Sequence, residues 1–132
     1  MDVFDPEAVL SLIHEESITM LPGPPTLYQS LMQSKSFSES NISSLRLGVT
    51  GAATIPVQLI HDMRNVLGFE TVITAYGLTE STGVVTMCTT VDSAETIAIH
   101  QVKLLKGVEI KCVNADGIES HLLKQVNISA RL

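Results

Sequence analysis

A chain of 132 residues with 45% hydrophobic content is about one domain long and can bury roughly two-thirds of its unfolded surface, so its length permits a genuine core. Its formal charge of −6, fourteen acidic residues against eight scattered Lys and Arg, excludes non-specific attraction to nucleic acid or anionic lipid and points to small or neutral partners. Apolar runs such as 45–49, broken by Arg46, fall far short of the ~20 residues that cross a bilayer, and Met1-Asp2 begins without a basic segment or apolar signal core; a soluble, cytoplasmic protein is expected.

Asp5 and Pro6 predict a helix start, with Asp5 as the cap, Pro6 in the first turn, and Val9, Leu12 and Ile13 on one face. Residues 18–21 then read as a short buried strand, which Pro22-Gly23-Pro24-Pro25 ends. A helix is expected over 26–33, with Leu27 and Leu31 inward and Tyr28 and Met32 beside them. The serine-rich stretch 34–44 is a surface connection. Residues 45–50 predict the next strand, 56–67 an amphipathic helix carrying Ile60, Met63 and Leu67, and 71–75 a third strand. Further strands are expected over 84–87 and 108–113, with Asn114-Ala115-Asp116-Gly117 as a turn. Strands alternating with helices imply an α/β fold: an incomplete, mostly parallel sheet with flanking helices and right-handed crossovers, followed by C-terminal strands or a hairpin.

In a strand-helix-strand unit the loops leaving the carboxyl ends of both strands open on one edge of the sheet, so Gly51-Ala52-Ala53 and residues 76–80 are expected to face one crevice. Tyr76-Gly77-Leu78-Thr79-Glu80 suits a nucleotide there. Its ring can stack on a base, its glycine permits a close backbone turn, its hydroxyl can bond a phosphate oxygen and its carboxylate can hold a hard cation. Competing sites fail on chemistry. The segment 34–38 has no glycine with which to wrap a phosphate, His14-Glu15-Glu16 lacks the second histidine of a helical zinc site, and Cys88 and Cys112 stand apart, as buried thiols do. Asn41-Ile42-Ser43 and Asn127-Ile128-Ser129 match the glycosylation sequon and are read as chance.

Thr50-Gly51-Ala52-Ala53-Thr54-Ile55-Pro56 and Tyr76-Gly77-Leu78-Thr79-Glu80 together resemble the adenylate-forming ligase superfamily, specifically its acyl-CoA synthetase branch. The wording of residues 21–28 and 83–88 resembles its bacterial ligases for fatty or steroid-derived acids. The resemblance implies that Tyr76 stacks on adenine, that Thr79 bonds the α-phosphate and that Glu80 ligates Mg²⁺, Thr79 and Glu80 being the catalytic pair. It implies that Gly51, Ala52, Ala53 and Gly77 pass their backbone along ATP or AMP. Pro24, Leu27, Tyr28, Thr50, Gly51 and Gly83 would border the carboxylic acid, with Leu27, Leu31, Val84 and Met87 suiting a greasy acyl chain. The reaction implied is attack of a carboxylate on the α-phosphate of ATP, giving acyl-adenylate and pyrophosphate, then thiol attack by CoA.

Members of that superfamily are several times longer, and a phosphate-gripping loop, a ribose-binding aspartate and a catalytic lysine have no counterpart here. The chain is therefore expected to be a fragment of the large N-terminal domain, divergent over 97–132, inactive alone and prone to self-association through exposed apolar surface. The alternatives are a non-catalytic α/β binding or interaction module and a decayed remnant.

Overall fold

Asp5 accepts a hydrogen bond from the Glu7 amide at 3.0 Å, and Pro6 sits where no amide is needed, so α1 (Pro6–Glu15) begins where the sequence predicts. Its inward face is Leu10 and Ile13 with Val9 beside them; Leu12, expected inward, is 40% exposed. The computed structural model describes residues 4–51, 53–81, 83–98, 103–113, 118 and 127–131. The order continues β1 (Met20–Pro22), α2 (Pro25–Gln33), β2 (Leu47–Gly51), α3 (Val57–Asn65), β3 (Thr71–Leu78), β4 (Gly83–Met87), α4 (Ala94–Ala98), β5 (Lys103–Leu104), β6 (Glu109–Val113) and β7 (Asn127–Arg131). The polar connection after α2 carries one short turn of 3₁₀ helix at Phe37–Glu39. The expected turn at 114–117 lies outside the described residues.

The main sheet has the order β1-β2-β3-β4-β5. Its first three strands are parallel, in register Met20↔Leu47 and Gly51↔Ala75, while β4 and β5 run antiparallel. A separate antiparallel pair, β6 and β7, matches the expected C-terminal strands. Gly48, Thr50, Val72 and Thr74 alternate onto a buried face, and Ile60, Met63, Leu67 and Phe69 from α3 and its exit close it. β1 departs from expectation: it is an edge strand, and Met20 is 52% exposed.

Tyr28 locks β1 to β2. Its ring is fully buried, edge-on to Phe69 at 6.0 Å, and its hydroxyl lies 2.7 Å from the Leu21 carbonyl oxygen and 2.8 Å from that of Val49. Burial pushes its ionisation far above the ordinary tyrosine range, so the hydroxyl keeps its one proton, which the two carbonyl oxygens share.

Candidate functional site

Three parallel strands finish on one edge. Pro22 is paired with Val49, and the Gly23 amide bonds the Val49 carbonyl at 2.9 Å; Gly51 is paired with Ala75. The loops after β1, β2 and β3 therefore leave the sheet together, as the alternation of elements predicted. β4, running the other way, starts at the same edge, with Gly83 opposite Leu78.

The segment 76–80 is not all loop. β3 runs on through Tyr76, Gly77 and Leu78, and a single 3₁₀ turn, Thr79–Ser81, then reverses the chain into β4. A register shift between Tyr76 and Gly77 brings β4 so near that a Cβ on Gly77 would overlap the Gly83 carbonyl oxygen and stand 2.9 Å from Val84 Cα. Gly83 itself adopts φ +110°, a conformation open to glycine.

Ser81 staples the turn, a role sequence reading missed. Its buried hydroxyl accepts from the Leu78 amide at 3.1 Å and donates to the Leu78 carbonyl at 2.9 Å. The signal was a serine within a strand-to-strand reversal, where its hydroxyl competes for backbone groups. The staple leaves Thr79 and Glu80 exposed at the rim with no side-chain partner among the described residues, while Tyr76 is half-buried opposite Thr86. A phenol ring, a hydroxyl and a carboxylate thus line the reversal within five residues.

At the end of the neighbouring strand Gly51 is half-exposed and Ala53 exposed; Ala52 lies outside the described residues. Thr50 is buried, and its Oγ1 has no hydrogen-bond partner among the described residues. Pro24 is exposed at the start of α2 and Leu27 is half-buried. Two expectations for the acyl wall need correction: Tyr28 and Leu31 are fully buried in the core and offer no surface, because α2 turns 28 and 31 inward and 27 outward. Val84 is exposed and Met87 half-buried.

Among the described residues no group of three or more His, Cys, Asp or Glu could hold a metal. One carboxylate is nevertheless the donor count that suits Mg²⁺, which takes one or two protein carboxylates and completes its shell with phosphate oxygens and water. Cys88 is a buried free thiol whose sulfur accepts from the Thr74 amide at 2.9 Å, and burial pushes its ionisation up. It serves packing.

Loops that leave parallel strands at one edge, with small residues on one and an aromatic-hydroxyl-carboxylate set on the other, define an α/β domain of the open-sheet class, in which ligands bind at that edge. A family model described as "AMP-binding enzyme" matches residues 1–121. The chain belongs to that family. It is 42% identical over 111 residues to a 3-[(3aS,4S,7aS)-7a-methyl-1,5-dioxo-octahydro-1H-inden-4-yl]propanoyl:CoA ligase of Rhodococcus jostii, covering 84% of this chain and 21% of the ligase. Against the ligase of the same description from Mycobacterium tuberculosis it is 50% identical over 95 residues, covering 72% of this chain and 19% of that one. The anthranilate CoA ligase AuaEII, solved in complex with anthranoyl-AMP, superposes with a TM-score of 0.77 at 25% identity, over 96% of this chain and 24% of that one. The chain therefore spans about a fifth of the length of the curated relatives it matches, and aligns with one segment of those CoA ligases. No helix among the described residues is long and apolar enough to cross a membrane.

Proposed function

We propose that the chain is the part of the large N-terminal domain of an AMP-forming acyl-CoA ligase that supplies the adenine and acyl walls, acting on ATP, a carboxylic acid and CoA in the cytoplasm. The observation that carries this reading is the pairing of Gly51 with Ala75, which brings the end of β2 to the same edge of the sheet as the 76–80 segment. Tyr76 stacks on adenine, and the backbone at Gly51, Ala52, Ala53 and Gly77 runs along the nucleotide. Thr79 donates its hydroxyl to an α-phosphate oxygen. Glu80 holds Mg²⁺, which when bound neutralises phosphate charge. Gly51, Pro24, Leu27 and Gly83 border the acid, and Val84 and Met87 extend that border for an apolar acyl chain; Thr50, buried on the helix-covered face, supports that border from beneath and does not touch the acid. Tyr28 contributes by fixing the loop after β1. The similarity to ligases named for an indene-propanoyl group favours a bulky, polycyclic carboxylic acid over a short one.

Phosphoryl chemistry of this kind depends on positioning and charge neutralisation, so the residues here perform only part of it. The test is a transplant in which residues 3–96 replace the matching segment of the Rhodococcus jostii ligase. A folded chimera should release pyrophosphate when given acid, ATP and Mg²⁺, and Glu80→Gln should lower that rate by about 10² or more, the scale seen when one preorganised electrostatic contact is removed. A chimera with native-like melting and no pyrophosphate release refutes the assignment.

A further inference from the structure

Gly23 is held a glycine by a neighbouring side chain. Its φ lies outside the left-handed region that Gly83 occupies, so its backbone would accept a side chain. The space around it would not: a Cβ there stands 2.8 Å from Leu27 Cδ1 and 3.4 Å from the Leu27 Cβ and Cγ. At Gly77 the obstacle is main chain, whereas here its nearest point is the tip of a leucine that can change rotamer.

The backbone around Gly23 is pinned and cannot yield in its place. The Gly23 amide bonds the Val49 carbonyl at 2.9 Å, the Tyr28 hydroxyl lies 2.7 Å and 2.8 Å from the Leu21 and Val49 carbonyl oxygens, and the Leu27 amide bonds the Pro24 carbonyl at 3.0 Å. Pro22, Pro24 and Pro25 fix φ on both sides. Leu27 is half-buried, packed on the core along one flank and lying against Gly23 along another. A methyl at 23 therefore turns Leu27 off the loop, and because the core flank is filled, the leucine swings outward at the carboxyl edge of the sheet. A straight acyl chain can bend past a displaced leucine by bond rotation; a fused ring system cannot change its width.

We infer that Gly23 is a positioning residue for substrate choice: by letting Leu27 lie back on the loop after β1, it keeps the acid border wide enough for a fused-ring carboxylic acid. The inference rests on the function proposed above, which puts Leu27 on that border, and adds the residue that sets its reach.

The test uses the chimera described above, given either the indene-derived propanoic acid for which the Rhodococcus jostii ligase is named or hexanoic acid. Gly23→Ala should lower kcat/KM for the ring acid at least about tenfold, chiefly through KM, and change that for hexanoic acid less than about threefold, one methylene in an apolar pocket being enough for such discrimination. Shortening the leucine as well should return the preference: Gly23→Ala with Leu27→Ala should discriminate within about threefold of Leu27→Ala alone. Equal losses for both acids, or a preference that Leu27→Ala fails to rescue, overturn the inference, because a general structural fault weakens both acids and ignores Leu27. A chimera that turns over neither acid refutes the proposed function, and an active one whose preference ignores Gly23→Ala refutes the inference alone. Should the Gly23→Ala chimera not fold, the full 132-residue chain decides by nuclear magnetic resonance of isotope-labelled leucine methyl groups. Gly23→Ala should move the Leu27 methyl resonances and leave those of buried Leu67 in place. Unmoved Leu27 resonances, or a chain that Gly23→Ala unfolds, overturn the inference, since the leucine is then not the part that yields.

Discussion

Gly77 is kept a glycine by backbone rather than by any ligand. A Cβ there meets the Gly83 carbonyl and Val84 Cα, main-chain atoms that cannot rotate aside. Gly77→Ala should therefore destabilise the free chain by at least the roughly 1–3 kcal/mol typical of overpacking, seen as a lower urea midpoint with no nucleotide present. If the variant matched the parent, the β3–β4 contact would have to be looser than the structure has it. Thr74 offers the opposite sign. Its Oγ1 is buried, as is that of its register partner Thr50, and neither has a hydrogen-bond partner among the described residues, so each hydroxyl carries a desolvation cost with no return. Thr74→Val keeps the branched shape and removes the cost; a gain of about 1 kcal/mol is expected, which is a few degrees in thermal midpoint for a chain of this size. A drop in midpoint would mean that the hydroxyl has a partner after all.

At the scale of elements, α4 shows what sequence reading left unread. Its five residues are too few for periodicity to stand out, yet its start carries two signals: the Thr89 amide bonds Asp92 Oδ2 at 2.6 Å, and the Thr96 amide bonds Ser93 Oγ at 3.2 Å. Arg64 of α3 then reaches the Asp92 carbonyl at 3.2 Å, tying the two helices. The Thr89 amide, bonded to the charged form, holds the Asp92 carboxyl below its ordinary range. A carboxyl lowered on folding contributes stability above its unfolded pKa and loses it as pH falls through the folded one. Asp92→Asn should therefore melt below the parent at neutral pH, and the difference should vanish between about pH 5 and pH 2. A pH-independent difference would assign the effect to packing. Longer elements were legible because burial enforces their periods, as for Ile60, Met63 and Leu67 on and beyond α3. The β1 strand and Leu12 were misread for a shared reason: apolar residues look equally inward in sequence, whereas sheet order and helix phase decide which of them water reaches. The shared edge of the two strand ends was legible, since strand alternation alone places them together. The Ser81 staple and the burial of Tyr28 were not, because both depend on which backbone groups lie across from them.

At the scale of the molecule, the separation between family and activity is a matter of free energy. Stacking of adenine on Tyr76, as proposed above, would supply about 1–3 kcal/mol. Micromolar affinity needs about 8 kcal/mol, net of the translational and rotational freedom that association removes. The remaining polar contacts available to a nucleotide here are the exposed Thr79 hydroxyl and the Glu80 carboxylate, and exposed groups exchange one hydrogen-bonded state with water for another at small net gain. No counterpart of the phosphate-gripping loop is present to add to them, so the isolated chain should bind ATP with Mg²⁺ at millimolar strength at best, and calorimetry should show no saturation below that range. Tyr76→Ala should leave such a flat isotherm unchanged. A saturable isotherm at micromolar ATP, abolished by Tyr76→Ala, would mean that the two walls grip the nucleotide unaided, and that the remainder of the ligase is needed for turnover rather than for binding.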